Sequence, residues 1–424
     1  MENKAYRAAR GTADILPEEQ AGWRYVKQVA AATCRLYGYQ RIDTPVFEDT
    51  GLFRRSAGEY TDIVQKEMYT FDDRGGNSLT LKPEGTPAVC RAYVQHGLSN
   101  LPQPVKLYYI SPIFRYDRPQ AGRYRQHYQF GCEAIGDADP ALDAEVIDMA
   151  WRFYTSLGLA GLTLQLNSIG CRNCRPGYLS ALKDYYAGHA GSLCADCTTR
   201  LESNPLRLLD CKQASCQSIA DNAPRNSAYL CPECSDHFTK LQAYLGLLGI
   251  PFELNHRLVR GLDYYTRTVF EIQPEEEGGQ STIGGGGRYD DLIEELGGRP
   301  TPAMGFATGI ERILLNLQKQ EVAIPNPPGP RALIAYIGDD ARNEAIRLAA
   351  SLRRAGISVI TGMAGKSLKA QMRQANALGV PKTLIIGEDE VTAGTVTVRD
   401  MAGAGQQTIP AGDVASLLTD DASD

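Results

Sequence analysis

Strand-like segments that follow one another along the chain constrain its fold most strongly. RIDTPVF (41–47), VKLYYI (105–110), HYQFGCEAIG (127–136) and LTLQLNSIG (162–170) are rich in β-branched and aromatic residues and are bounded by proline, aspartate or glycine. A helical pattern separates only the last two, from about Pro140 to Leu157. Strands that mostly follow strands favour an antiparallel sheet in an α+β domain.

The length of the chain and two changes in its composition predict several domains. The 424 residues exceed the ~250 to 300 at which a single core stops growing. Residues 171–240 are polar, helix-prone and rich in cysteine, so they look inserted, and IPNPPGP (324–330) has the four prolines of a stiff linker. We predict a first part of the sheet domain at 1–170, an insertion at 171–240, a second part at 241–323, the linker at 324–330 and a C-terminal domain at 331–424.

The C-terminal domain has a different pattern from the rest of the chain. Strand-like segments alternate with helical patterns there, in the order RALIAYIG, a helix from about Arg342 to Ala355, ISVIT, a helix from about Leu368 to Leu378, TLIIG and TVTVRD. This order is typical of a small α/β domain. We expect the tail after Pro410 to be loose.

The overall composition is that of a soluble globular protein. Hydrophobic residues make up 43% of the chain and charged residues 22%, and no apolar run approaches the ~18 residues of a membrane span. The start of the chain has no apolar signal core, which indicates a cytoplasmic protein. The net charge of −6 argues against a broad basic surface for nucleic acid but leaves local basic patches open.

Two polar stretches precede or interrupt the strand-like segments. LKPEGTPAV (81–89) carries Glu84 and Thr86, where a simple helix cap is the alternative interpretation. FRYDRPQAGRYRQHYQFGCE (114–133) has four arginines within eleven residues, Arg115 and Arg123 among them. Guanidinium groups pair with phosphate oxygens in a bidentate manner, so this loop suits polyphosphate, although a solvated hairpin tip would have the same composition.

Two further stretches of the same kind follow the insertion. LVRGLDYYTRTVFE (258–271) contains Arg260, Tyr264 and Tyr265, although adjacent tyrosines are also ordinary strand residues. IGGGGRYDD (283–291) leads to GFATGIERI (305–313) with Arg312, and its four glycines indicate a close approach of the backbone to a ligand or a neighbouring strand. They match neither a P-loop nor a dinucleotide-binding pattern.

Taken in order, these motifs resemble one known family. KPEGT, FRYDRPQAGRYRQ with GCE, LVRGLDYYT, GGGGRYD and GFATGIER are similar to those of the histidyl-tRNA synthetases, which are class II aminoacyl-tRNA synthetases. The resemblance extends from RGTADILP (10–17) to the C-terminal domain. It implies an antiparallel catalytic sheet flanked by helices, a helical insertion, an anticodon-binding domain and a homodimer.

The resemblance implies a site for ATP with its magnesium ion. Arg115 would hold the α-phosphate and the amino-acid carboxylate, Arg123 the outer phosphates, and Arg312 the γ-phosphate and adenine. Arg260 would stabilise negative charge at the α-phosphorus as histidyl-adenylate forms. Many relatives have Phe where His127 stands, so either His127 or the adjacent Tyr128 is expected to stack on adenine.

The resemblance also implies a pocket for L-histidine, which is then transferred to the terminal adenosine of tRNA(His). The acids and Gln129 would bind the ammonium group, and the tyrosines with Glu84 would bind the ring nitrogens. The glycines would leave room for the imidazole. The implied pocket residues are Glu84, Thr86, Gln129, Glu133, Tyr264, Tyr265, Gly285 and Gly286.

The insertion carries eight of the eleven cysteines within 64 residues. They form four short pairs: Cys171 with Cys174, Cys194 with Cys197, Cys211 with Cys216, and Cys231 with Cys234. Such pairs are typical of tetrahedral zinc sites, and four pairs predict two structural Cys₄ sites. Reduced core thiols or a redox pair are the alternatives, and the sequence does not tell which pairs share a metal.

Two other functions are consistent with parts of the sequence. The first is the regulatory subunit of ATP phosphoribosyltransferase, a histidine-sensing paralogue of the family. Such paralogues generally lack the anticodon-binding domain and the ATP-site arginines, whereas this chain retains both. The second is a zinc-stabilised RNA-binding protein without activity, which would leave the four arginines unexplained.

Overall fold

The computed structural model describes residues 6–59, 61–120, 122–274, 282–403 and 405–420. The chain divides between Pro325 and Asn326 into two compact units, at a point that lies inside the segment 324–330. In the described ranges, no helix is both long and apolar enough to cross a membrane.

The first unit contains eleven strands and ten helices. Its strands are β1 Gln40–Arg41, β2 Phe47–Asp49, β3 Tyr69–Asp72, β4 Ser78–Leu81, β5 Val105–Phe114, β6 Gln126–Ile135, β7 Leu162–Ser168, β8 Phe252–Leu254, β9 Thr266–Pro274, β10 Gly284–Arg288 and β11 Ala303–Gly309. Its helices are α1 Gln20–Leu36, α2 Thr50–Ala57, α3 Thr86–Gln95, α4 Pro140–Ser156, α5 Arg175–Ala187, α6 Ala195–Ser203, α7 Ala214–Asp221, α8 Pro232–Leu247, α9 Leu292–Glu295 and α10 Ile310–Lys319. These counts refer to the described residues.

Eight of these strands form one large sheet, in the order β1-β5-β6-β11-β10-β9-β7-β8. The six central strands are antiparallel to their neighbours, and only the short outer strands β1 and β8 pair in parallel. Strands β2, β4 and β3 form a separate small antiparallel sheet. The structure therefore confirms the predicted α+β fold.

The two faces of the large sheet differ in chemistry because successive side chains of a strand point to opposite faces. On β6, Phe130 and Cys132 face an apolar core that α1, α4, α8 and α10 also line. Gln129 and Glu133 alternate with them and face a cavity on the other side. The sheet thus separates the main core from the polar site.

The insertion folds as the helices α5 to α8 and packs on the sheet domain at two places. Leu241 and Leu245 of α8 belong to the same apolar cluster as α4. Tyr178 and Leu182 of α5 are buried in a second cluster, which also contains Tyr265. The start of the insertion is therefore in contact with the segment that carries the tyrosine pair.

Two expectations from the sequence are wrong in detail. The strand predicted over 41–47 is split into β1 and β2, and the intervening residues include Pro45, which has no N–H to donate to a sheet. The tail after Pro410 is not loose over Val414–Asp420, which forms a helix with Val414 and Leu418 buried. Residues 421–424 lie outside the described residues.

The second unit is a small α/β domain, as predicted. Its strands are β12 Ala332–Tyr336, β13 Val359–Thr361, β14 Lys382–Ile386, β15 Thr395–Asp400 and β16 Gln406–Pro410, and its helices are α11 Asp339–Arg354, α12 Leu368–Ala377, α13 Glu388–Ala393 and α14 Val414–Asp420. The sheet order is β13-β12-β14-β15-β16, with β12 to β14 parallel and β15 and β16 antiparallel.

A fully buried ion pair ties the glycine-rich strand β10 to α4. The guanidinium of Arg288 pairs with Asp143, and neither side chain is exposed. Arg288 also donates 3.0 Å to Asp290 Oδ1 and 2.6 Å to the carbonyl of Asp137. The second oxygen of Asp143 accepts from the hydroxyl of Thr268 on β9 at 2.6 Å. Both charges are thus fully hydrogen-bonded, which is the condition for burying them.

Removal of one partner of this pair should destabilise the first unit strongly. Asp143→Ala removes the one fully buried carboxylate that pairs with Arg288 and leaves its charge only the partly exposed Asp290, so we expect the free energy of unfolding to fall by about 3–5 kcal/mol. The double variant Asp143→Leu/Arg288→Met buries no charge and should recover much of that loss. Urea unfolding followed by tryptophan fluorescence measures both, since Trp23 and Trp151 lie in this unit. A loss below about 1 kcal/mol for Asp143→Ala would contradict the assigned role.

Candidate active site

The polar face of the large sheet carries a cavity of about 440 Å³. Residues from the four separate polar stretches of the sequence meet there. The most distant of them, Glu84 and Arg312, are 228 positions apart in the chain. Of the residues predicted for the ATP and histidine sites, the cavity is lined by Glu84, Thr86, Arg115, Arg123, His127, Gln129, Glu133, Arg260, Tyr264, Tyr265, Gly285 and Arg312. Gly286 does not line it.

Three arginines on the cavity are anchored by backbone carbonyls or by an acid. Arg115 donates its Nε to the carbonyl of Pro83 at 2.7 Å, and Arg312 donates to the carbonyl of Thr282 at 2.7 Å. Arg123 lies 3.3 Å from Asp117. Burial lowers the pKa of Arg312, and the nearby charges of Arg123 and Arg115 lower it further. Like charges are thus held close together, an arrangement that an anion would stabilise.

Arg260 approaches the cavity from the segment after the insertion. Its guanidinium forms an ion pair with Glu271 on β9 and lies 5.9 Å from the ring centroid of Tyr265. Burial opposes its charge, but Glu271 and Tyr265 outweigh burial and raise the pKa of Arg260 above its ordinary value. Its Nε donates to no acceptor among the described residues. The cation is therefore held in place by Glu271 at the edge of the cavity.

A buried carboxylate with one free oxygen lies on the cavity beside the tyrosine pair. Glu84 is 3% exposed, and its Oε2 accepts from the hydroxyl of Tyr264 at 2.7 Å. Its Oε1 has no hydrogen-bond partner in the described part of the chain. Burial raises the pKa of Glu84 to about 7, although Tyr264 and Arg115 favour its charged form. A ligand with a donor or a positive charge would satisfy this oxygen.

A second buried carboxylate, Glu133, lies on the same side of the sheet. Its Oε1 accepts from Thr86 at 2.7 Å and its Oε2 accepts from the hydroxyl of Tyr289. Burial raises the pKa of Glu133 to about 8, with the charge of Glu84 acting in the same direction. Two buried acids with raised pKa values on one cavity are typical of a functional site.

The glycines of β10 have different roles because they alternate between the two faces. A Cβ on Gly285 would stand 2.8 Å from the guanidinium of Arg260. A Cβ on Gly286 would point to the opposite face and stand 2.0 Å from the carbonyl of Gly305. A Cβ on Gly285 would also stand 2.6 Å from the carbonyl of Phe270 on β9. Gly285 therefore makes room for Arg260 and for close pairing with β9, whereas Gly286 allows close pairing with β11.

Residues 127 and 128 also point to opposite faces. His127 lines the cavity, and burial and the charge of Arg115 lower its pKa to about 3, so its ring is neutral at physiological pH. The ring of Tyr128 packs against Trp23 at a centroid distance of 5.3 Å, on the side of the main core. Of the two residues expected to stack on adenine, His127 therefore lies in the suitable place and Tyr128 does not.

Sequence reasoning missed several residues that line the same cavity. Glu271 is the acid inside the otherwise uncharged strand TVFEIQ, and this departure from an apolar pattern was an available signal. Tyr289 belongs to the quoted GGGGRYD motif. A Cβ on Gly305 would overlap Glu133 at 2.0 Å, so this glycine also shapes the pocket. Asp210 and Lys212 of the insertion also line the cavity, and no local sequence pattern predicts this position.

The eight cysteines of the insertion form two groups of four thiols. The first tetrad is Cys171, Cys174, Cys231 and Cys234, and the second tetrad is Cys194, Cys197, Cys211 and Cys216. Within each tetrad all sulfur atoms lie within 4.8 Å of one another. The Sγ–Sγ distance is 3.8 Å for Cys171–Cys174, 3.9 Å for Cys171–Cys231 and 3.8 Å for Cys194–Cys211. A tetrahedral ZnS₄ centre with bonds of ~2.3 Å has sulfur–sulfur edges of about 3.8 Å. The thiols therefore fit one such ion per tetrad.

Comparison with known proteins shows the family of the chain. A family profile described as histidyl-tRNA synthetase matches residues 11–174 and 187–313. The chain belongs to the histidyl-tRNA synthetase family. A profile described as anticodon binding domain matches residues 331–421, so the second unit is of that type.

Similar proteins extend this match over nearly the whole chain. A histidine-tRNA ligase of Dehalococcoides mccartyi is 63% identical over 96% of this chain and 97% of its own length. A histidine-tRNA ligase of Desulforamulus reducens is 52% identical over 94% and 96%. The crystal structure of apo histidyl-tRNA synthetase from S. aureus has a TM-score of 0.83 and 38% identity, covering 98% of this chain and 100% of that one.

A more distant likeness concerns the regulatory paralogue. A structure from Bacillus halodurans described as an ATP phosphoribosyltransferase regulatory subunit/histidyl-tRNA synthetase has a TM-score of 0.65 at 23% identity, with 91% of this chain and 99% of that one covered. At that identity it shows a shared fold alone. The anticodon-binding unit and the highly identical ligases do not favour the regulatory function.

Proposed function

We propose that this synthetase is a histidine-tRNA ligase. It activates L-histidine with ATP to histidyl-adenylate and pyrophosphate, and then transfers the histidyl group to the 3′-terminal adenosine of tRNA(His). The observation that carries the proposal is the single cavity in which Arg115, Arg123, Arg260 and Arg312 meet the buried acids Glu84 and Glu133. A polyphosphate and an amino acid need these two kinds of group side by side.

In this proposal the arginines bind ATP with its magnesium ion as a substrate. Arg115 holds the α-phosphate, Arg123 and Arg312 hold the outer phosphates, and His127 lies against adenine. Binding of the polyphosphate would relieve the mutual repulsion of the guanidinium groups. Arg260 stabilises the charge that develops when the histidine carboxylate attacks the α-phosphorus, because it lines the cavity and Glu271 fixes its position.

The acids, with Gln129 and the tyrosine pair, bind histidine in the same proposal. The free Oε1 of Glu84 accepts from the ligand, while Tyr264 and Thr86 hold the two carboxylates in place. Gln129 is positioned by the hydroxyl of Tyr109, which donates to its Oε1 at 3.1 Å. A pocket built from buried polar groups discriminates strongly against an amino acid that lacks the matching donors.

Assembly and location are part of the proposal. The small sheet β2-β4-β3 exposes Phe47 and Phe71, which are 46% and 42% exposed with ring centroids 6.3 Å apart, next to Val46 at 40%. Such an apolar patch supports the homodimer. Two tetrads of reduced thiols suit the cytoplasm, where thiols are not oxidised.

We also propose that each thiol tetrad holds one structural zinc ion. Both tetrads lie within the insertion. The first and fourth cysteine pairs of the sequence form the first tetrad, and the second and third pairs form the second tetrad. Zinc would connect the short helices of the insertion in addition to their shared apolar cluster. The ions would take no part in adenylation.

Histidine-dependent exchange of labelled pyrophosphate into ATP tests the function. The wild-type protein should catalyse exchange with histidine and not with the other amino acids. Arg260→Ala should lower the rate of adenylate formation in single turnover by about 10² to 10³, the effect of losing one preorganised donor. Arg299→Ala, a change at an exposed arginine outside the cavity, serves as the charge-matched control. Absence of exchange in the wild type would contradict the function, and an unchanged Arg260→Ala rate would contradict that role.

The pH dependence of histidine binding tests the two acids. The pKa values of Glu84 and Glu133 are raised to about 7 and about 8, so both carboxyls are largely protonated at pH 6.5 and largely charged at pH 8.5. A cationic ligand requires the charged form, so its dissociation constant should fall by about tenfold over this range. Calorimetric titration with histidine measures it. Glu133→Gln should weaken histidine binding and reduce its dependence on pH. An equally steep pH dependence in that variant would show that Glu133 does not bind histidine.

Metal analysis of protein purified without chelators tests the thiol tetrads. We expect about two zinc ions per chain, since each tetrad provides four thiolates. Cys231→Ser and Cys216→Ser should each remove about one ion, and the double variant both. Less than about one zinc per chain, with all thiols freely titratable, would show that the cysteines are ordinary reduced thiols.

A further inference from the structure

The first tetrad lies where the insertion leaves and rejoins the sheet domain. Cys171 and Cys174 follow the end of β7, and Cys231 and Cys234 stand at the start of α8. The sulfur of Cys171 is 3.8 Å from that of Cys174 and 3.9 Å from that of Cys231. A metal ion here would hold together two chain segments that are 60 positions apart.

Arg175 connects this tetrad with the tyrosine pair of the cavity. Its backbone N–H donates to the carbonyl of Cys171 at 2.9 Å. Its guanidinium donates to the carbonyls of Ile169 at 3.4 Å, Gly170 at 3.2 Å and Tyr265. One side chain therefore bridges the loop that carries the thiols and the backbone of the residue that lines the cavity.

The chain around Tyr265 is held in an unfavourable conformation by the same loop. Arg267, two residues further on, has a φ of +47°, which is uncommon for a residue with a side chain. Its N–H donates to Gly170 at 2.8 Å and its carbonyl accepts from Ile169 at 2.7 Å. Such a conformation persists only where the surroundings enforce it. The position of the loop 169–171 thus determines the path of the tyrosine segment.

The loop has little freedom next to the thiols. Gly170 has a φ of +69°, and a Cβ there would stand 2.7 Å from the sulfur of Cys174. Arg175 also lines a smaller cavity of about 180 Å³, which shares Arg260 and Tyr265 with the main cavity. The first thiols, the arginine and the rear of the pocket therefore form one continuous group of contacts.

We propose that a metal ion in the first tetrad positions the histidine pocket, with Arg175 as the positioning residue that transmits its effect to Tyr264 and Tyr265. The proposal rests on the proposed function. The second tetrad is the natural comparison, since in the described residues its thiols form hydrogen bonds within the tetrad and with Ser215 but none with the tyrosine segment.

Kinetics of histidine-dependent pyrophosphate exchange test the connection. Arg175→Met should keep two zinc ions per chain and raise the KM for histidine by about tenfold, with the KM for ATP changed by less than about twofold, because misplacing a binding group acts on its own ligand. Cys171→Ser should lose one zinc and raise the histidine KM by a similar factor. Cys216→Ser should lose one zinc and leave the histidine KM within about twofold.

A double-variant cycle distinguishes a shared route from two separate effects. If the metal acts through Arg175, Cys171→Ser/Arg175→Met should raise the histidine KM no further than either single change. Calorimetric titration of each variant with histidine gives the same comparison without turnover, and Arg175→Lys should restore part of the affinity. Should Cys171→Ser fail to fold, Arg175→Met and Arg175→Lys still test the positioning role.

The outcomes separate this inference from the function itself. Multiplicative effects in the double variant, an unchanged histidine KM in Arg175→Met, or equal changes in the KM for histidine and ATP would overturn the inference while wild-type exchange continues. Absence of histidine-dependent exchange in the wild type would instead overturn the proposed function.

Discussion

The two-residue alternation of side chains in the eight-stranded sheet is the constraint on which the rest of the molecule depends. It places Phe130 and Cys132 in the core while Gln129 and Glu133, from the same strand, face the cavity. A shift of pairing by one residue would exchange these faces and bury the wrong groups. The close pairing of β10 with β11, where Gly286 lies opposite Phe306, keeps this register in the middle of the sheet. Folding and ligand recognition therefore rest on the same hydrogen-bonded ladder.

The electrostatics of the site follow from that separation. One face of the sheet excludes water, so the acids on the other face lie over an apolar layer and their pKa values rise by burial. The guanidinium groups offset part of this effect, as the charge of Arg115 does for Glu84. The arginines and acids of the cavity stabilise one another's charges only in part. A ligand that carries both charges would stabilise them further. The arginines and acids of the cavity therefore suit a zwitterion beside a polyphosphate.

The sequence predicted the motif residues better than their surroundings. Arg115, Arg260 and Arg312 could be named because each stands in a short, ordered motif, and their convergence followed from the family resemblance. Glu271 and Tyr109 were missed because each is one polar residue of a strand, and only the pairing of distant strands shows which face it occupies. For the same reason, the sequence did not show which two cysteine pairs come together in one tetrad. The spacing within a Cys-x₂-Cys pair is local, but the partner pair is set by where the insertion returns to the sheet.

The return of the insertion to the sheet domain also explains why the first tetrad lies at the base of the insertion. Residues 171–234 form a long excursion of short helices from the edge of the sheet, and closing such a loop has an entropic cost that grows slowly with its length. The helices of the insertion are mostly under 14 residues, too short to be stable in isolation. A metal ion held by the first tetrad would fix both ends of this loop for the cost of ordering four side chains, next to Arg267, whose backbone conformation requires support from its surroundings. The same contacts that give the insertion its structure therefore reach the strand that carries the tyrosine pair.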